Sequence, residues 1–437
     1  MTPLLRLCTR LLPCAALLPL SPATLRAADF HIAPEGDDAN DGRSAAKPWK
    51  SLTKVSATTF APGDRILLKA GGGWDGTLTP SGSGAKGRPI VIDRYGDGAD
   101  PVLRGRGTAA KTPTATVLLT GQSHWEIRRL EITNTGTAVA DRSGIRIVNP
   151  DRTGKIRCAG ITVSRCRVHD VNSDPEGGKI NGGIILDGVF DDVAVDACHV
   201  SDVTKEGIRN NCGAAVRCTN IRITRNVVEN VFGDGIVIAG ISKGGYAAYN
   251  RLKNTCMTKS ANYAGLRLIN SKDSLVEYNE VSGITGGFVY DGEAFDDDLG
   301  CSGDTFQYNY SHDNAGGFFL IMPGANNLTV RYNISQNDGG GSRQELIHYT
   351  DNTSKNNVFH NNTFYIGPKI VTNLFNDLGT HAKRKFVHFH NNIVYCDGKP
   401  ASFSPAAFGA ASQFKNNCLF PRKNSPEPPV TSNRPRR

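Results

Sequence analysis

A short phrase centred on asparagine recurs through the C-terminal half of the chain, and it restricts the possible folds more than any other feature. Apolar residues alternate with other residues on both sides of the asparagine, as in Val276 to Val281 (VEYNEV). The phrase returns at steps of 24 to 30 residues, at Asn226, Asn250, Asn279, Asn309, Asn333, Asn362, Asn392 and Asn417. An internal repeat of this length indicates a solenoid, in which each repeat packs only on its neighbours.

A second phrase, a glycine that opens a short apolar strand, runs in register with the first. It occurs at Gly144, Gly183, Gly207, Gly235, Gly265, Gly287 and Gly317. Two strand phrases with period-two alternation in each step exclude a helical solenoid. Inward asparagines stacked at about 4.8 Å could each bond the next amide. We therefore predict an all-β chain, a right-handed parallel β-helix solenoid of about eleven rungs with an N-terminal cap.

The two ends of the chain differ from the repeats. Residues 1–28 combine Arg6 and Arg10 with an apolar run and small residues, a pattern typical of a secretory signal peptide. The run is too short to span a bilayer, and no later stretch is apolar enough, so we expect a secreted or periplasmic monomer without a membrane partner. We assign residues 29–110 to the cap and first rungs, 111–420 to the β-helix and 421–437 to a disordered tail.

Net charge limits the classes of binding partner that we expect, and the cysteine content limits the possible disulfides. The net charge of +9 fits either simple solubility or an acidic partner such as a uronate polymer. We expect no nucleic acid, because export is signalled and no basic stretch is interleaved with aromatic residues. Of 11 cysteines, Cys8 and Cys14 lie in the signal peptide, which leaves nine. Among these, Cys212 and Cys218 flank a short loop and are the pair best placed for a disulfide.

The N-terminal segment carries a family resemblance. Phe30 to Lys69, with its Gly/Asp/Asn loop and Pro-Gly-Asp turn, and the following Gly72-Gly73-Trp74 resemble the first module of the pectate-lyase-like superfamily of carbohydrate enzymes. The phrases FDDDLGC, QYNYSHDN and RYNISQNDG resemble, in this order, those of bacterial β-helix glycoside hydrolases. The resemblance implies the β-helix fold and a polysaccharide substrate. It does not choose a reaction, because this architecture hosts lyases, hydrolases and tailspikes alike.

Arginines in the glycine phrase are candidates for substrate binding. Side chains alternate along a strand, so Arg146, Arg209 and Arg267 point outward if the neighbouring aliphatic residues point inward. They fall on alternate rungs, about 10 Å apart, close to one disaccharide of an extended polymer. With Lys205, such a stripe could bind carboxylates or sulfates. The alternative is that arginine is simply a soluble residue on an outward face.

The densest acidic cluster lies in the sequence YDGEAFDDDLG, which we place in the turn that leaves the Gly287 rung. Like charges this close raise the pKa of at least one carboxyl, which makes Asp296, Asp297 and Asp298 candidates for a general acid. The same cluster could hold Ca²⁺ through Asp291 and Glu293, and the sequence points to no other cofactor. The alternative is a solvated acidic loop.

Other polar residues could complete the site. Asp338 is the candidate base, whereas Asp313 stands where other rungs also carry Asp or Asn, so a turn role competes with a catalytic one. Glu206 and Asp234 directly precede the glycine strands and are further candidates. His348 could act as the base of a lyase or could be a packed strand residue.

Three functions remain open from the sequence. The first is a two-carboxylate glycoside hydrolase on an acidic or branched polysaccharide, which pairs a carboxyl of the cluster with Asp338 or Asp313. The second is a polysaccharide lyase that acts by β-elimination on a uronate polymer, with or without calcium. The third is a non-catalytic β-helix that binds glycans.

Overall fold

The structure is a computed structural model that describes residues 27–107, 114–258, 262–286, 291–341, 345–350, 353–375, 387–397 and 412–421. Nearly all of its regular structure is parallel β-strand in three long sheets, so the predicted parallel β-helix is confirmed. Apart from Ala27, Ala28 and Pro421, the predicted signal peptide and C-terminal tail lie outside the described residues. Among the described residues, no helix has the length and apolar character needed to cross a membrane.

Each sheet takes one strand from each successive coil of the chain. The first sheet runs, in order, through Asp29–Ile32, Arg65–Lys69, Ile90–Tyr95, Trp125–Arg128, Cys158–Ser164, Phe190–Asp196, Cys218–Thr224, Tyr246–Ala248, Leu275–Glu277, Thr305–Gln307, Thr329–Arg331, Asn357–His360, Val387–His390 and Gln413–Lys415, with Ile241–Lys243 paired beside Cys218–Thr224. The second sheet runs through Gly73–Asp75, Val102–Arg104, Glu131–Asn134, Arg167–Val171, His199–Val203, Val227–Val231, Arg251–Lys253, Glu280–Ser282, Tyr310–His312, Ile334–Gln336, Thr363–Ile366, Ile393–Cys396 and Cys418–Pro421. The third sheet runs through Thr114–Thr120, Arg142–Val148, Gly182–Asp187, Glu206–Asn211, Ile236–Ala239, Leu266–Ile269, Phe295–Asp297, Phe319–Ile321, Glu345–Tyr349 and Asn373–Phe375.

The N-terminal end is closed by a short helix, Leu52–Ser56. The Ser51 hydroxyl caps this helix by accepting a hydrogen bond from the amide of Lys54 (3.1 Å). Leu52 and Val55 are buried in the same apolar core as Phe30. The helix therefore covers apolar side chains of the first coil that no further coil would shield.

The predicted asparagine column is present and continuous. From Asn226 to Asn417, each side-chain amide donates to the side-chain oxygen of the asparagine in the next coil, at 2.9 to 3.2 Å. The same amides also donate to interior backbone carbonyls, as Asn309 does to Val276 (3.0 Å). Because these polar groups are buried, each bond removes a desolvation cost of about 1–3 kcal/mol.

The structure confirms that Asp313 occupies a turn position that recurs in other coils. Asp313 has a φ of +57°, and the equivalent residues of other coils, Asp170, Asp202, Asn230, Asn254 and Asn337, have φ values of +51° to +58°. Asp and Asn tolerate this left-handed conformation better than most residues. Asn337 also donates its side-chain amide to Asp313 (3.3 Å), so these side chains link neighbouring turns.

One strand of the third sheet lies elsewhere than predicted. Between Leu266–Ile269 and Phe319–Ile321 the sheet contains Phe295–Asp297, not a strand that opens at Gly287. Phe295 pairs with Leu266 and Phe319 in the interior column, and this apolar packing selects the strand. Residues 287–290 lie outside the described residues. The acidic cluster thus lies partly within a strand and not in a turn that leaves one.

The predicted Cys212–Cys218 disulfide is not formed in this structure, where the two thiols lie side by side. Both residues are buried free thiols. The Cys212 thiol donates to the carbonyl of Val216 (2.9 Å), and the Cys218 sulfur accepts the amide of Phe190 (3.2 Å). The loop between them is therefore closed by hydrogen bonds to the backbone.

Candidate active site

A single outward column of the third sheet carries five of the candidate residues. In register along the coils it contains Arg146, Ile185, Arg209, Val237, Arg267, Asp296, Leu320 and His348. The alternation predicted for the three arginines is confirmed. Further along, Phe319 points inward with Phe295, so Leu320 occupies the outward position.

The arginines of this column are buried and paired with acids of the chain itself. Arg146 and Arg209 are 5% and 9% exposed. Arg146 donates to Asp187 (2.8 Å), and Nη1 of Arg209 lies 3.7 Å from Asp234. Lys205 donates to the carbonyl of Pro175. Arg146 and Arg209 therefore face acids of the chain itself, which disfavours the predicted binding of substrate carboxylates or sulfates by these two side chains.

Arg267 gathers three acids of the predicted cluster. Its guanidinium donates to Asp291 (2.6 Å) and lies 2.8 Å from Asp296 and 3.6 Å from Asp298. The side chain of Asp296 is fully buried, whereas those of Asp291 and Asp298 are 4% and 7% exposed. Burial raises the pKa of Asp291 although Arg267 opposes this shift, and it raises the pKa of Asp296 further. Several carboxyl groups thus share one cation in a desolvated site.

Asp297 does not belong to this group. It occupies an inward position of the sheet, between Leu268 and Ile321, and is fully buried. Burial and the neighbouring Asp304 carboxyl raise the pKa of Asp297 well above its ordinary value. Alternation along the strand turns Asp297 into the interior, which favours a structural role over the predicted role as a general acid.

Glu293 and His348 form a separate group. Nδ1 of His348 lies 3.2 Å from Glu293 and 3.3 Å from Glu345. The predicted calcium ligands Asp291 and Glu293 do not converge, since Asp291 binds Arg267 and Glu293 turns towards His348. Among the described residues, the groups with metal-ligand spacing are Glu293–Glu345–His348 and Asp297–Cys301–Asp304. Neither contains the predicted pair.

Asp338 lies in the interior with all its partners in place. It accepts hydrogen bonds from the hydroxyls of Ser311 (2.6 Å) and Ser335 (2.7 Å), and from the backbone and side-chain amides of Asn314 (3.1 and 2.9 Å). Burial raises its pKa to about 7. These contacts favour a structural role for Asp338 over the predicted role as the base. Asp313 is an exposed turn residue next to His312 (2.8 Å).

Glu206 and Asp234 are more central than the sequence indicates. A Cβ at Gly207 would lie 2.4 Å from the Gly235 carbonyl, so the glycine allows a tight inward bend of the backbone. Glu206 lies within 3.9 Å of outward-facing Arg209, and Asp234 lies within 3.6 Å of Arg267. Sequence reasoning missed Asp304 and Glu345, because neither stands in a repeated position of the two phrases.

Comparisons with known proteins agree with this architecture. No family model matches the chain. In sequence it is similar to lacto-N-biosidase of Bifidobacterium longum subsp. longum, at 27% identity over 497 aligned positions that include 90% of this chain and 30% of the relative. The chain therefore spans less than a third of that relative.

Solved structures extend the likeness. The native and selenomethionine structures of GH136 lacto-N-biosidase from Eubacterium ramulus both match with a TM-score of 0.71, at 23% and 24% identity, over 84% of this chain and 68% of that chain. The predicted resemblance to β-helix carbohydrate-active enzymes is thus confirmed, and the parallel β-helix is the fold that these proteins share.

Proposed function

We propose that this chain is a glycoside hydrolase that cleaves a neutral glycan with Asp291 and Asp298 as its two carboxyl groups. The observation that carries the proposal is the convergence of both side chains on the guanidinium of Arg267, at 2.6 and 3.6 Å. Glycosidases use two carboxyl groups about 5–9.5 Å apart, and Arg267 gathers two such groups at one point of the outward column. The sequence similarity to a lacto-N-biosidase supports the same class of reaction.

The two carboxyl groups differ in a way that suits different roles. Asp291 has a raised pKa from burial, so it can hold a proton and donate it to the leaving oxygen as the glycosidic bond breaks. Asp298, at 3.6 Å from the cation Arg267, attacks the anomeric carbon as a carboxylate or takes the proton of an attacking water. Asp296 is fully buried and orients Arg267 between them.

Charge on the outward column favours a neutral substrate over the acidic one that the sequence indicates. Arg146, Arg209 and Arg267 already face carboxylates of the chain, and Glu293 and Glu345 flank His348. Among the described residues of this column, a uronate would meet these acids and arginines that already face carboxylates. We propose a lacto-N-biose-type glycan as substrate, after the name of the relative, and export guided by residues 1–28.

A substrate panel tests this proposal. We expect the purified protein to release reducing sugar from neutral oligosaccharides that end in lacto-N-biose, without absorbance near 235 nm from pectate or alginate. An unsaturated product from a uronate polymer would establish the lyase and overturn the hydrolase. Binding of glycans with no turnover on any polymer would favour the non-catalytic β-helix.

A further inference from the structure

A group of three side chains that can bind a metal ion lies inside the coil, on the opposite face of the sheet from the proposed catalytic carboxyls. We call it the Asp297 cluster; it consists of Asp297, Cys301 and Asp304, and all three residues are fully buried. Asp297 ends the strand Phe295–Asp297 of the third sheet, and Asp304 directly precedes the strand Thr305–Gln307 of the first sheet. One turn of the chain therefore supplies every side chain of the cluster.

The three side chains converge closely enough to surround an ion. Each offers one ligand atom, a carboxylate oxygen or the cysteine sulfur, and these atoms lie within 4.8 Å of one another. Ligand atoms bound at about 2.0–2.3 Å in a tetrahedral zinc site are about 3.3–3.8 Å apart. The spacing therefore suits an ion, which needs no cavity beyond the gap between its ligands.

The carboxyl group of Asp297 lies in an apolar column. Its neighbours in register are Leu268 and Ile321. Among the described residues, neither of its oxygens has a hydrogen-bond partner, and the charges that act on it most strongly are those of other acidic groups. Burial of a carboxylate without a cation or a donor is strongly unfavourable, so this side chain requires a bound cation or a proton.

The carboxyl group of Asp304 carries a charge that its backbone contact does not need. Its Oδ1 accepts hydrogen bonds from the Ser274 amide (2.7 Å) and the Ser271 hydroxyl (3.3 Å), whereas Oδ2 has no hydrogen-bond partner in the described part of the chain. In a later coil, Asn357 accepts from the amide of Leu328 in the same way (3.1 Å) with an uncharged side chain. One oxygen of Asp304 is thus held by the turn, and the other is left for a ligand.

A thiol together with two carboxylates favours zinc over calcium or magnesium. Ca²⁺ and Mg²⁺ prefer oxygen ligands, whereas Zn²⁺ binds cysteine sulfur and carboxylate oxygen alike. The ion would replace the proton of the thiol and any proton that the two carboxyls share, and it would cancel two of the three negative charges. Water or the Ser271 hydroxyl would take the fourth position of a tetrahedral ion.

We propose that Asp297, Cys301 and Asp304 bind one structural Zn²⁺ inside the coil. The proposal does not depend on the reaction that the protein catalyses. The ion would fix the turn between the third and the first sheet, and it would enter the site as the chain folds. Because the site is buried, EDTA would remove the ion only from unfolded protein, so a chelator in an assay of the folded protein would leave it in place.

Metal content tests the site. The full chain would be expressed in minimal medium with Zn²⁺, dialysed against metal-free buffer and analysed by plasma mass spectrometry. We expect about one zinc ion per chain, since a closed site of this kind releases its ion slowly. Folded protein that retains no zinc would overturn the proposal and would indicate that the two carboxyls share a proton.

Two substitutions separate the loss of the ion from the loss of the fold. Asp304→Asn keeps an acceptor for the Ser274 amide, as Asn357 does for its own partner, so the variant should fold and hold less than about 0.2 zinc ions per chain. Cys256→Ser is the matched control, because Cys256 is another fully buried thiol and its sulfur faces Thr255 (3.9 Å). Thermal unfolding identifies variants that remain folded. Equal zinc content in folded Asp304→Asn and in the parent protein would overturn the site.

Cobalt tests for the sulfur ligand directly. Protein expressed with Co²⁺ in place of Zn²⁺ should absorb in the near ultraviolet through charge transfer from the Cys301 sulfur to the metal. Cys301→Ser should lose this band, and Cys256→Ser should keep it. A band that Cys301→Ser leaves unchanged would show that the metal binds at another cysteine and would contradict the proposal.

Discussion

At the scale of single residues, several carboxyl groups are buried, and their neighbours decide what each can do. Asp338 faces two serine hydroxyls and the amides of Asn314, so its role is structural. Asp297 faces Asp304 inside the coil. Asp291 faces Arg267 on the outer side of the sheet. A raised pKa is therefore shared by structural and candidate catalytic carboxyls, and position separates them.

The pH dependence of activity should reflect the protonation of Asp291. Its raised pKa keeps the acid protonated at a pH where an ordinary aspartic acid, with a pKa of about 3.9, has lost its proton. Activity should therefore persist above that value and fall as the pH passes the pKa of Asp291. In Asp291→Asn, kcat should drop by about 10²–10⁴-fold, and this alkaline decline should disappear. A pH–rate profile of each protein measures this decline. If the alkaline decline is unchanged in the variant, another group is responsible for it.

The pH dependence of the protein's stability should reflect the protonation of Asp338. Its pKa of about 7 in the folded state lies above that of an unfolded aspartic acid, so the parent protein loses stability as the pH rises from about 4 to 7. Asp338→Asn removes this loss, since its carbonyl accepts from Asn314 and its amide can donate to the serines. Melting curves at pH 4 to 8 should show that the Tm of the variant increases relative to that of the parent protein as the pH rises. A Tm difference that does not change with pH would contradict this interpretation.

At the scale of elements, the sequence predicts a strand correctly where the repeated pattern and the interior packing indicate the same residues. The asparagine column could be predicted because each side chain recurs at a fixed place and has a single inward use. The strand Phe295–Asp297 could not, because the glycine phrase at Gly287 fits the same step of the repeat. The packing of Phe295 between Leu266 and Phe319 determines which of the two segments forms the strand.

That choice also decides the candidate site. A shift of one residue in a strand moves every side chain to the opposite face. The sequence therefore groups Asp296 with Asp297, whereas the structure sends the first outward to Arg267 and the second inward to Asp304. The pairing of acids with arginines from other coils depends on register between distant segments, which no local pattern encodes.

The asparagine column should contribute strongly to stability. Asn309→Ala would leave the backbone amide of Asn279 without its acceptor. The side-chain amide of Asn279 and the side-chain oxygen of Asn333 would each lose one of their hydrogen bonds. We expect the free energy of unfolding to fall by about 2–5 kcal/mol, from about 1–3 kcal/mol for the amide left unpaired and a smaller cost for each of the other two lost bonds. Denaturant unfolding measures it, with Asn417→Ala at the end of the column as the control that should cost less. Equal costs would show that the column has no cooperative interior.

At the scale of the whole molecule, the positive net charge does not describe the face that carries the site. The chain has a net charge of +9, yet Arg209 and Arg267 share their charge with Glu206, Asp234, Asp291 and other acids of the third sheet. Overall charge is therefore a property of the remaining surface, and it indicates solubility more directly than substrate.

Metal removal should leave the reaction intact. Asp291 accepts a hydrogen bond from Arg267, and Glu293 lies with His348, so the predicted calcium pair is not assembled. We expect hydrolysis of the neutral glycan to be unchanged by EDTA and by added Ca²⁺, within about twofold, since Arg267 supplies the positive charge at the carboxyls. Loss of activity with EDTA and its recovery with Ca²⁺ would show that a bound cation takes part.

The most direct test of the account is kcat on the neutral glycan for a matched series of aspartate-to-asparagine variants. Asp291→Asn and Asp298→Asn should each lose at least 10²-fold, because they alter the pair gathered at Arg267. Asp297→Asn, Asp313→Asn and Asp338→Asn should retain activity within about fivefold, because these side chains face the interior or a turn. Full activity of Asp298→Asn together with an inactive Asp338→Asn would contradict the account.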